Sequence, residues 1–364
     1  MRVHFAFILL AIIPAPGSAM IYNVPSSFST IQAGLDAATA GDSVLVAAGI
    51  YAGNGNNNLG FAGKDIVLIS EEGAAATIID CQGEHFGIYF QNRESRNCIV
   101  DGFTIRGADR TAIVFGNEAS STVANCILKE NTRGLSCSEA SSCMIDNCLI
   151  LSNGRGDGAG IYISHSSPEV KNSIVSGNRA PEAGGGILVG NGSTLRLDGC
   201  LINGCFAAGM GGGIFCGVDA SALISNCTIS GNAAINGGGL ITGGGFIQLE
   251  NSVVWGNFGG MVISNGSATI SCSVVDTAEI VEWGISEIEY IGANVFSDPL
   301  FCYWIDGGYD PTSEGDYRVE SSSPCLPENN PCGVLIGGLG VGCDLPDPTI
   351  QRSWGLIKSF YGGR

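Results

Sequence analysis

The sequence predicts an all-β solenoid in which a single chain winds into a parallel β-helix. Three observations predict this fold: a phrase that recurs at a nearly constant interval, a Gly-rich turn with an apolar run between successive copies, and no helical pattern within the repeats. An interval of about 25 residues that holds several strand-length runs corresponds to one turn of a solenoid. Successive turns stack at the ~4.8 Å spacing of parallel strands, so equivalent residues lie above one another.

The recurring phrase reads apolar-x-Asn-Cys/Ser-apolar-apolar-x-x-Asn. Clear copies are Val123–Asn131, Ile145–Asn153, Val170–Asn178, Ile224–Asn232 and Leu249–Asn257, and weaker copies are Val100–Ala108, Leu197–Cys205 and Ile270–Ala278. Stacking predicts two asparagine columns, because Asn tolerates the left-handed backbone of corners and bonds to neighbouring coils. The columns are Asn125, Asn147, Asn172, Asn226 and Asn251, and Asn131, Asn153, Asn178, Asn232 and Asn257.

The second repeated element is a run of glycines before an apolar strand, as in 184–190, 211–217 and 237–243. Glycine permits tight turns with positive φ, so these runs are interpreted as turns. A leucine-rich repeat has a similar period and an Asn ladder, and is the alternative. It needs Leu at fixed positions and a helical back side, whereas this chain uses Ile, Val, Cys and Gly in two strand runs per turn.

The N-terminus has the pattern of a signal peptide over residues 1–19. Arg2 precedes the apolar run Phe5–Ile13, and the small residues Gly17 to Ala19 precede Met20. The run is too short to span a bilayer, and no later segment is long and apolar enough. We therefore expect an exported protein, secreted or at the cell surface, with no transmembrane segment in the mature chain. The β-helix is expected over 20–343, followed by a linker and short tail over 344–364.

Charge excludes one class of partner. With 16 basic and 34 acidic residues, the net charge of −18 repels phosphate backbones, so nucleic acid is not an expected ligand. A polyanionic glycan would need a local basic groove or a bridging cation.

The 15 cysteines fall into two kinds. Cys126, Cys148, Cys200 and Cys227 share one repeat position and are expected to stack in the core as free thiols, since side chains in register point in parallel. Cys302, Cys325, Cys332 and Cys343 lie in a region without repeats and are expected to form disulfides, with three connectivities open.

These motifs resemble the right-handed parallel β-helix proteins of the pectin-lyase-like superfold. The segment 28–51, the repeats, and the closing segments 296–301 and 315–325 carry the resemblance. It implies a right-handed solenoid with an N-terminal capping helix: Ile31, Leu35 and Ala38 share one helical face, Ser29 or Thr30 is the N-cap, and Gly41 the stop. The cap is expected over about 22–50, the repeats over about 65–290, and a closing coil with a disulfide-rich end over 291–343.

The chain lacks the catalytic motifs of the polysaccharide-cleaving members that it resembles, and no Asp-Asp pair occurs. Glycoside hydrolysis needs two carboxyl groups held together, whereas the repeats hold single residues: Asp101, Asp109, Asp146, Asp157 and Asp198. Two arrangements could hold a uronate: Asp146 near Glu169, and a basic column of Arg133, Arg155 and Arg179. We interpret both as solvated charges, and His165 as a surface residue.

No catalytic residue, metal ligand or cofactor is therefore assigned. A zinc site is not expected, because there is no CxxC pair and residues after 19 contain only His85 and His165, and Ca²⁺ is the one ion left open. The leading hypothesis is a non-catalytic exported protein that presents an elongated face to carbohydrate or to a cell surface. The alternative is a polysaccharide lyase or glycoside hydrolase that acts on a uronic-acid-containing glycan through an atypical site. The partner is then a polysaccharide or a cell-surface glycan in either case.

Overall fold

The chain forms a right-handed parallel β-helix with three long sheets. A computed structural model describes residues 19–305 and 308–343. The predicted signal peptide, apart from Ala19, and the predicted linker and tail lie outside the described residues. Each coil contributes one strand to each sheet, and strands of successive coils pair in parallel and in register, as the repeat predicts.

Sheet 1 has twelve strands, and in the repeats its strands contain the first residues of the repeated phrase. Its strands are Ile21–Val24, Ser43–Val46, Val67–Ser70, Ile99–Asp101, Thr122–Ala124, Met144–Asp146, Glu169–Lys171, Thr194–Asp198, Ser221–Ser225, Phe246–Glu250, Ser267–Ser271 and Glu287–Ile291. Sheet 2 has ten strands and follows the first Asn column. Its strands are Gly49–Ala52, Thr77–Asp80, Thr104–Arg106, Ile127–Lys129, Leu149–Leu151, Ile174–Ser176, Leu201–Asn203, Thr228–Ser230, Val253–Trp255 and Val274–Val275.

Sheet 3 also has ten strands and follows the second Asn column. Its strands are Leu59–Gly60, Phe86–Phe90, Thr111–Phe115, Arg133–Cys137, Ile161–Ile163, Ile187–Val189, Ile214–Cys216, Leu240–Gly243, Met261–Ser264 and Ile280–Trp283. Alternate residues of all three sheets point inward and form one continuous apolar core of Ile, Leu, Val, Phe and Cys side chains.

Both asparagine columns are confirmed, and they lie at different corners. The first lies between sheets 1 and 2, where all five residues have φ near +50°. The second lies between sheets 2 and 3 and is buried: Asn131 Nδ2 donates to Asn153 Oδ1 at 3.1 Å, and Asn153 Nδ2 donates to Asn178 Oδ1 at 3.0 Å. Cys205 interrupts this column, because its backbone N–H donates to Asn232 Oδ1 while its sulfur replaces the amide.

The glycine runs have two functions rather than one. The first glycine of each triplet has the expected positive φ, as at Gly184, Gly211 and Gly237. At the second position, the reason is space: a Cβ on Gly212 would lie 2.6 Å from the carbonyl oxygen of Gly238, on the next coil. Backbone atoms of successive coils therefore approach each other more closely than any side chain allows.

A fourth, three-stranded sheet lies between sheets 2 and 3 where the coils are longest. Its strands are Arg179–Ala180, Phe206–Met210 and Ala233–Asn236. Stacked Ala159, Ala180, Ala207 and Ala234 form a separate small apolar cluster beneath it. The extra strands account for the longer sequence intervals from Ser173 to Cys200 and from Cys200 to Cys227.

The N-terminal end of the core is covered by a helix, Ile31–Ala37, as expected. Thr30 is the N-cap, since its Oγ1 accepts the backbone N–H of Ala33 at 3.2 Å. Ile31, Leu35 and Ala38 are buried. The helix ends before Gly41, however, because Ala38 already has extended backbone (φ −72°, ψ 152°).

The C-terminal segment after residue 293 packs back across the outer face of sheet 2. It contains the antiparallel strands Phe301–Tyr303 and Asp316–Val319 and a 3₁₀ turn, Pro327–Asn329; another 3₁₀ turn, Thr277–Glu279, precedes it. Phe301, Tyr317 and Leu326 bury an apolar cluster with residues of sheet 2 such as Val253. The segment adds a second layer to only one side of the solenoid.

The expected disulfide framework is partly wrong. Cys302 bonds to Cys343, but Cys332 bonds to Cys272, which belongs to the last repeat, and Cys325 is a buried free thiol. Cys272 has a left-handed backbone (φ 44°) at the corner position that Asn occupies in other coils. Its side chain therefore points out of the core and reaches the C-terminal segment. The core cysteines Cys126, Cys148, Cys200 and Cys227 are free and buried, as expected.

Candidate functional site

A groove of about 820 Å³ runs along the second corner, across successive coils. We call it the lateral groove. The residues that line it include Asp109, Glu130, Asn131, Arg155, Arg179 and Phe206, with Pro311 of the C-terminal segment at one margin. Its volume lies in the range of ligand sites. The lining extends from the coil of Gly83 to that of Phe206, which at the strand spacing is about 24 Å.

Small residues create this recess. Gly107 and Gly177 directly follow strands of sheet 2 at one repeat position, and Gly154, Ala108 and Ala180 line the corner one to three positions further on. Larger side chains at these positions would fill the corner. Because the buried Asn column lies directly below, the floor is held by the amide ladder that links coil to coil.

Two guanidinium groups give the groove its positive charge. Arg179 is exposed, stacks over the Phe206 ring at 4.5 Å and donates to the backbone carbonyl of Tyr309 at 2.9 Å. Arg155 is exposed and has no hydrogen bond or ion pair to any described residue. Neither guanidinium is therefore neutralised by a carboxylate within the described part of the chain. The nearby Glu130 forms an ion pair with Lys129 at 3.2 Å.

Aromatic rings lie beside these arginines. Tyr309 is 57 % exposed, and its ring contacts those of Phe206 and Phe258 at centroid distances of 5.8 and 5.4 Å. Such a platform of rings beside cations can stack against the apolar face of a sugar ring while the guanidinium groups bind its acidic substituents.

A histidine and a carboxylate meet at the other end of the lateral groove. His85 Nδ1 lies 2.9 Å from Asp109 Oδ1, and both side chains are half exposed. Asp109 was treated as a single carboxylate from the sequence and was not paired with His85. Their separation by one coil of the repeat was the available signal.

The three arginines of the predicted basic column do not point to the same site. Arg155 and Arg179 reach the lateral groove, but Arg133 turns away, stacks over Tyr162 at 4.6 Å and donates twice to the carbonyl oxygen of Asp157. Burial lowers the pKa of Arg133. Arg133 therefore holds the turn at 154–158 rather than a ligand.

The predicted acidic pair lies on a different face. Glu169 is in register with Met144, and Asp146 with Lys171, so the two carboxylates are offset by two residues on the outside of sheet 1. Glu169 bonds to Lys171 at 2.9 Å and lies 3.7 Å from Arg96, and the Lys171 bond lowers the pKa of Glu169. Sheet 2 separates these residues from the arginines of the lateral groove, so they do not form one uronate site.

The remaining single carboxylates are bonded to the solenoid itself. Asp101, Asp146 and Asp198 each accept a hydrogen bond, at 2.7 to 2.9 Å, from an Asn of the first column one coil further on; the donors are Asn125, Asn172 and Asn226. Asp157 accepts the backbone N–H groups of Glu182 and Ala183. His165 lies on an exposed turn and contacts only Ser164 through its ring.

Two features are absent from the described residues. Among residues 19–305 and 308–343, no three His, Cys, Asp or Glu side chains come close enough to share a metal ion. Over the same ranges, no helix has the length and apolar character needed to cross a membrane.

The fold and the site define a class: a right-handed parallel β-helix with a groove along one corner that two arginines and two carboxylates line. A sequence model of the right-handed β-helix region matches residues 44–202 and 181–280. The chain therefore belongs to the right-handed β-helix family.

Solved structures align with this chain at low sequence identity. A pectate lyase has 13 % identity and a TM-score of 0.54, over 90 % of this chain and 97 % of its own. An Azotobacter vinelandii mannuronan C-5 epimerase A-module has 13 % identity and a TM-score of 0.42, over 76 % of this chain and 100 % of its own. A Paenibacillus alginate lyase has 10 % identity and a TM-score of 0.37, over 76 % and 99 %. No curated protein sequence matches the chain.

Proposed function

We propose that this protein is an exported, non-catalytic β-helix protein that binds an acidic polysaccharide in its lateral groove. The observation that carries the proposal is the pair of guanidinium groups, Arg155 and Arg179, without a carboxylate partner among the described residues, in a groove about 24 Å long. The other two charged residues of the lining, Asp109 and Glu130, lie against His85 and Lys129, so on a chain of net charge −18 the two arginines supply the local positive charge that a polyanionic ligand requires. A linear chain of several sugar residues fits its length better than a small molecule does.

The non-catalytic part of the proposal rests on how the carboxylates are used. Acid–base cleavage of a glycan needs a titratable group free to exchange a proton with the substrate. Asp101, Asp146, Asp198 and Asp157 instead accept hydrogen bonds that hold corners and turns. Their chemistry supports a structural role.

The second candidate is a lyase or hydrolase, and the His85–Asp109 pair favours it. A histidine whose Nδ1 faces a carboxylate presents its Nε2 as a general base, and Asp109 lines the groove. Unlike Asp101, Asp146, Asp157 and Asp198, which hold corners and turns, this pair is exposed to a ligand bound in the groove.

Replacing both Arg155 and Arg179 with glutamine is expected to weaken binding of polygalacturonate or alginate at least about tenfold, since each charged hydrogen bond contributes about 1.5–3 kcal/mol. Affinity electrophoresis or calorimetry at two salt concentrations measures this, and the wild-type affinity should fall with salt. Arg93→Gln is the control, because Arg93 carries the same charge but pairs with Glu118 on an exposed turn.

Equal affinity of the double variant and the control would remove the lateral groove as the binding site. Release of reducing ends or unsaturated uronate by the wild-type protein, lost in His85→Gln, would replace the binding function with the enzymatic one. The screen is run with and without Ca²⁺, so that a calcium-dependent activity is not missed.

The proposal that the protein is exported predicts where the mature chain begins. Met20 N donates to Asp42 Oδ1 at 2.9 Å, and this bond is the main cause that lowers the pKa of the Asp42 carboxyl. Cleavage after Ala19 would convert that N–H into an ammonium group facing the carboxylate. N-terminal sequencing of protein recovered from the culture medium or cell surface is expected to begin at Met20. A start elsewhere, or retention inside the cell, contradicts this boundary.

A further inference from the structure

Two core cysteines of one coil lie side by side. Cys137 ends a strand of sheet 3, and Cys143 immediately precedes the next strand of sheet 1. Both are fully buried, and their Sγ atoms are 3.0 Å apart. This is shorter than van der Waals contact between two sulfur atoms and about 1 Å longer than a disulfide bond. Small side-chain rotations would join them.

The pair is specific to this coil. In the preceding coil the equivalent positions hold Phe115 and Ser121, and in the following coil Ile163 and Pro168. Repetition therefore does not explain two cysteines here. Phenylalanine in earlier coils fills the volume that the two sulfur atoms share in this one.

Most other core cysteines contact backbone groups instead, although Cys227 also interacts with Cys200 on the preceding coil. Cys148 Sγ lies 3.6 Å from the carbonyl oxygen of Val123, and Cys200 Sγ lies 3.4 Å from that of Asp198. In these columns the side chains point in parallel, which is the wrong direction for a bond between coils. Cys137 and Cys143 approach from two different sheets, so their Cα–Cβ vectors converge.

We propose that Cys137 and Cys143 form a third disulfide bond that closes a seven-residue loop at the corner between sheets 3 and 1. One S–S bond forms and two S–H bonds break. The two electrons and two protons pass to the disulfide of a thiol–disulfide exchange protein or of a low-molecular-weight disulfide, which becomes a dithiol.

The surroundings support attack by Cys137. A hydrogen bond from Cys143 lowers the pKa of Cys137, and the thiolate is the attacking species in exchange. Burial raises the pKa of Cys126 to about 12, so neighbouring core thiols stay unreactive. Because both partners are fully buried, the exchange occurs before this coil is packed by its neighbours.

The bond also has a local structural role. The loop that it closes, Ser138–Ser142, carries the carbonyl oxygen of Ser142, which accepts a hydrogen bond from Arg96 at 3.1 Å. Arg96 in turn approaches Glu169 on sheet 1. Fixing the corner therefore fixes contacts that span neighbouring coils. This role is distinct from that of the two disulfides that attach the C-terminal segment.

Thiol titration of non-reduced, denatured protein made in an oxidising compartment tests the proposal. With the third bond, nine thiols react, two fewer than the eleven cysteines outside Cys272–Cys332 and Cys302–Cys343. Cys137→Ser then releases Cys143 and raises the count by one. Cys216→Ser, the matched core control whose sulfur contacts the Phe246 carbonyl oxygen, lowers it by one. A wild-type count of eleven, with both variants lowering it by one, overturns the proposal.

Mass spectrometry of the wild-type protein tests the bond without any variant, so its result does not depend on whether a variant folds. The tryptic peptide Gly134–Arg155 contains Cys137, Cys143 and Cys148. After alkylation without reduction it is expected to carry one alkyl group, to be lighter by two hydrogen atoms, and to resist backbone fragmentation between residues 137 and 143. Three alkyl groups on this peptide would contradict the bond.

Discussion

Gly212→Ala is expected to lower the thermal unfolding midpoint by roughly 2–4 °C, from one added methyl group. The new Cβ would lie 2.6 Å from the Gly238 carbonyl oxygen and 2.6 Å from the carbonyl carbon of Ala233. Both are backbone atoms of the next coil, so neither can rotate away. The coils must move apart, which lengthens the bond from Gly212 N to Gly237 O, now 3.2 Å.

Gly340→Ala is the control for this variant. A Cβ on Gly340 meets no heavy atom within 4 Å, and its φ is not in the left-handed region. Circular dichroism melts of the two variants should differ by this amount, with Gly340→Ala close to wild type. Similar midpoints would mean that the coils are not stacked backbone against backbone at this corner.

Asn153→Ala is expected to destabilise the protein by at least about 3 kcal/mol, because several buried polar groups lose partners that each contribute about 1–3 kcal/mol. Asn153 is 1 % exposed. Its Oδ1 accepts from the backbone N–H and the side-chain amide of Asn131, and its Nδ2 donates to the Leu128 carbonyl oxygen at 2.9 Å. Alanine leaves these groups unsatisfied within the core.

Asn147→Gly provides the comparison from the first column. Asn147 is half-buried, its Oδ1 has no partner among the described residues, and glycine adopts its φ of 52° without strain. Only the bond from its Nδ2 to Asn125 Oδ1 is lost. Urea denaturation should show a large loss for Asn153→Ala and a loss of about 1 kcal/mol or less for Asn147→Gly. Equal losses would contradict the assignment of the buried ladder as the stronger one.

The repeat was sufficient to predict stacking, because in a solenoid each residue contacts its equivalents one period away in sequence. The Asn columns, the buried Cys126, Cys148, Cys200 and Cys227, and the N-cap at Thr30 all depend on such near-neighbour contacts, and all are confirmed. The offset between Asp146 and Glu169 could have been read from the repeat, because Asp146 lies one residue before its corner asparagine and Glu169 lies three residues before its own.

The candidate site could not be predicted from the sequence, because it depends on contacts that do not recur at the repeat interval. Arg179 binds the backbone of Tyr309, 130 residues away, and Cys272 bonds to Cys332, 60 residues away. Residues of the C-terminal segment have no equivalent in other coils, so no pattern indicates which sheet they cover.

By itself the sequence determined the coil length, the strand register and the inward or outward direction of most side chains, since these follow from a local phrase repeated along the chain. Only the tertiary structure decided where the lateral groove lies, which arginines reach it, and where the C-terminal segment packs. The physical reason is that the groove forms where coils differ from one another. It depends on the sizes of particular side chains and on one segment that folds back, and the repeated phrase encodes neither.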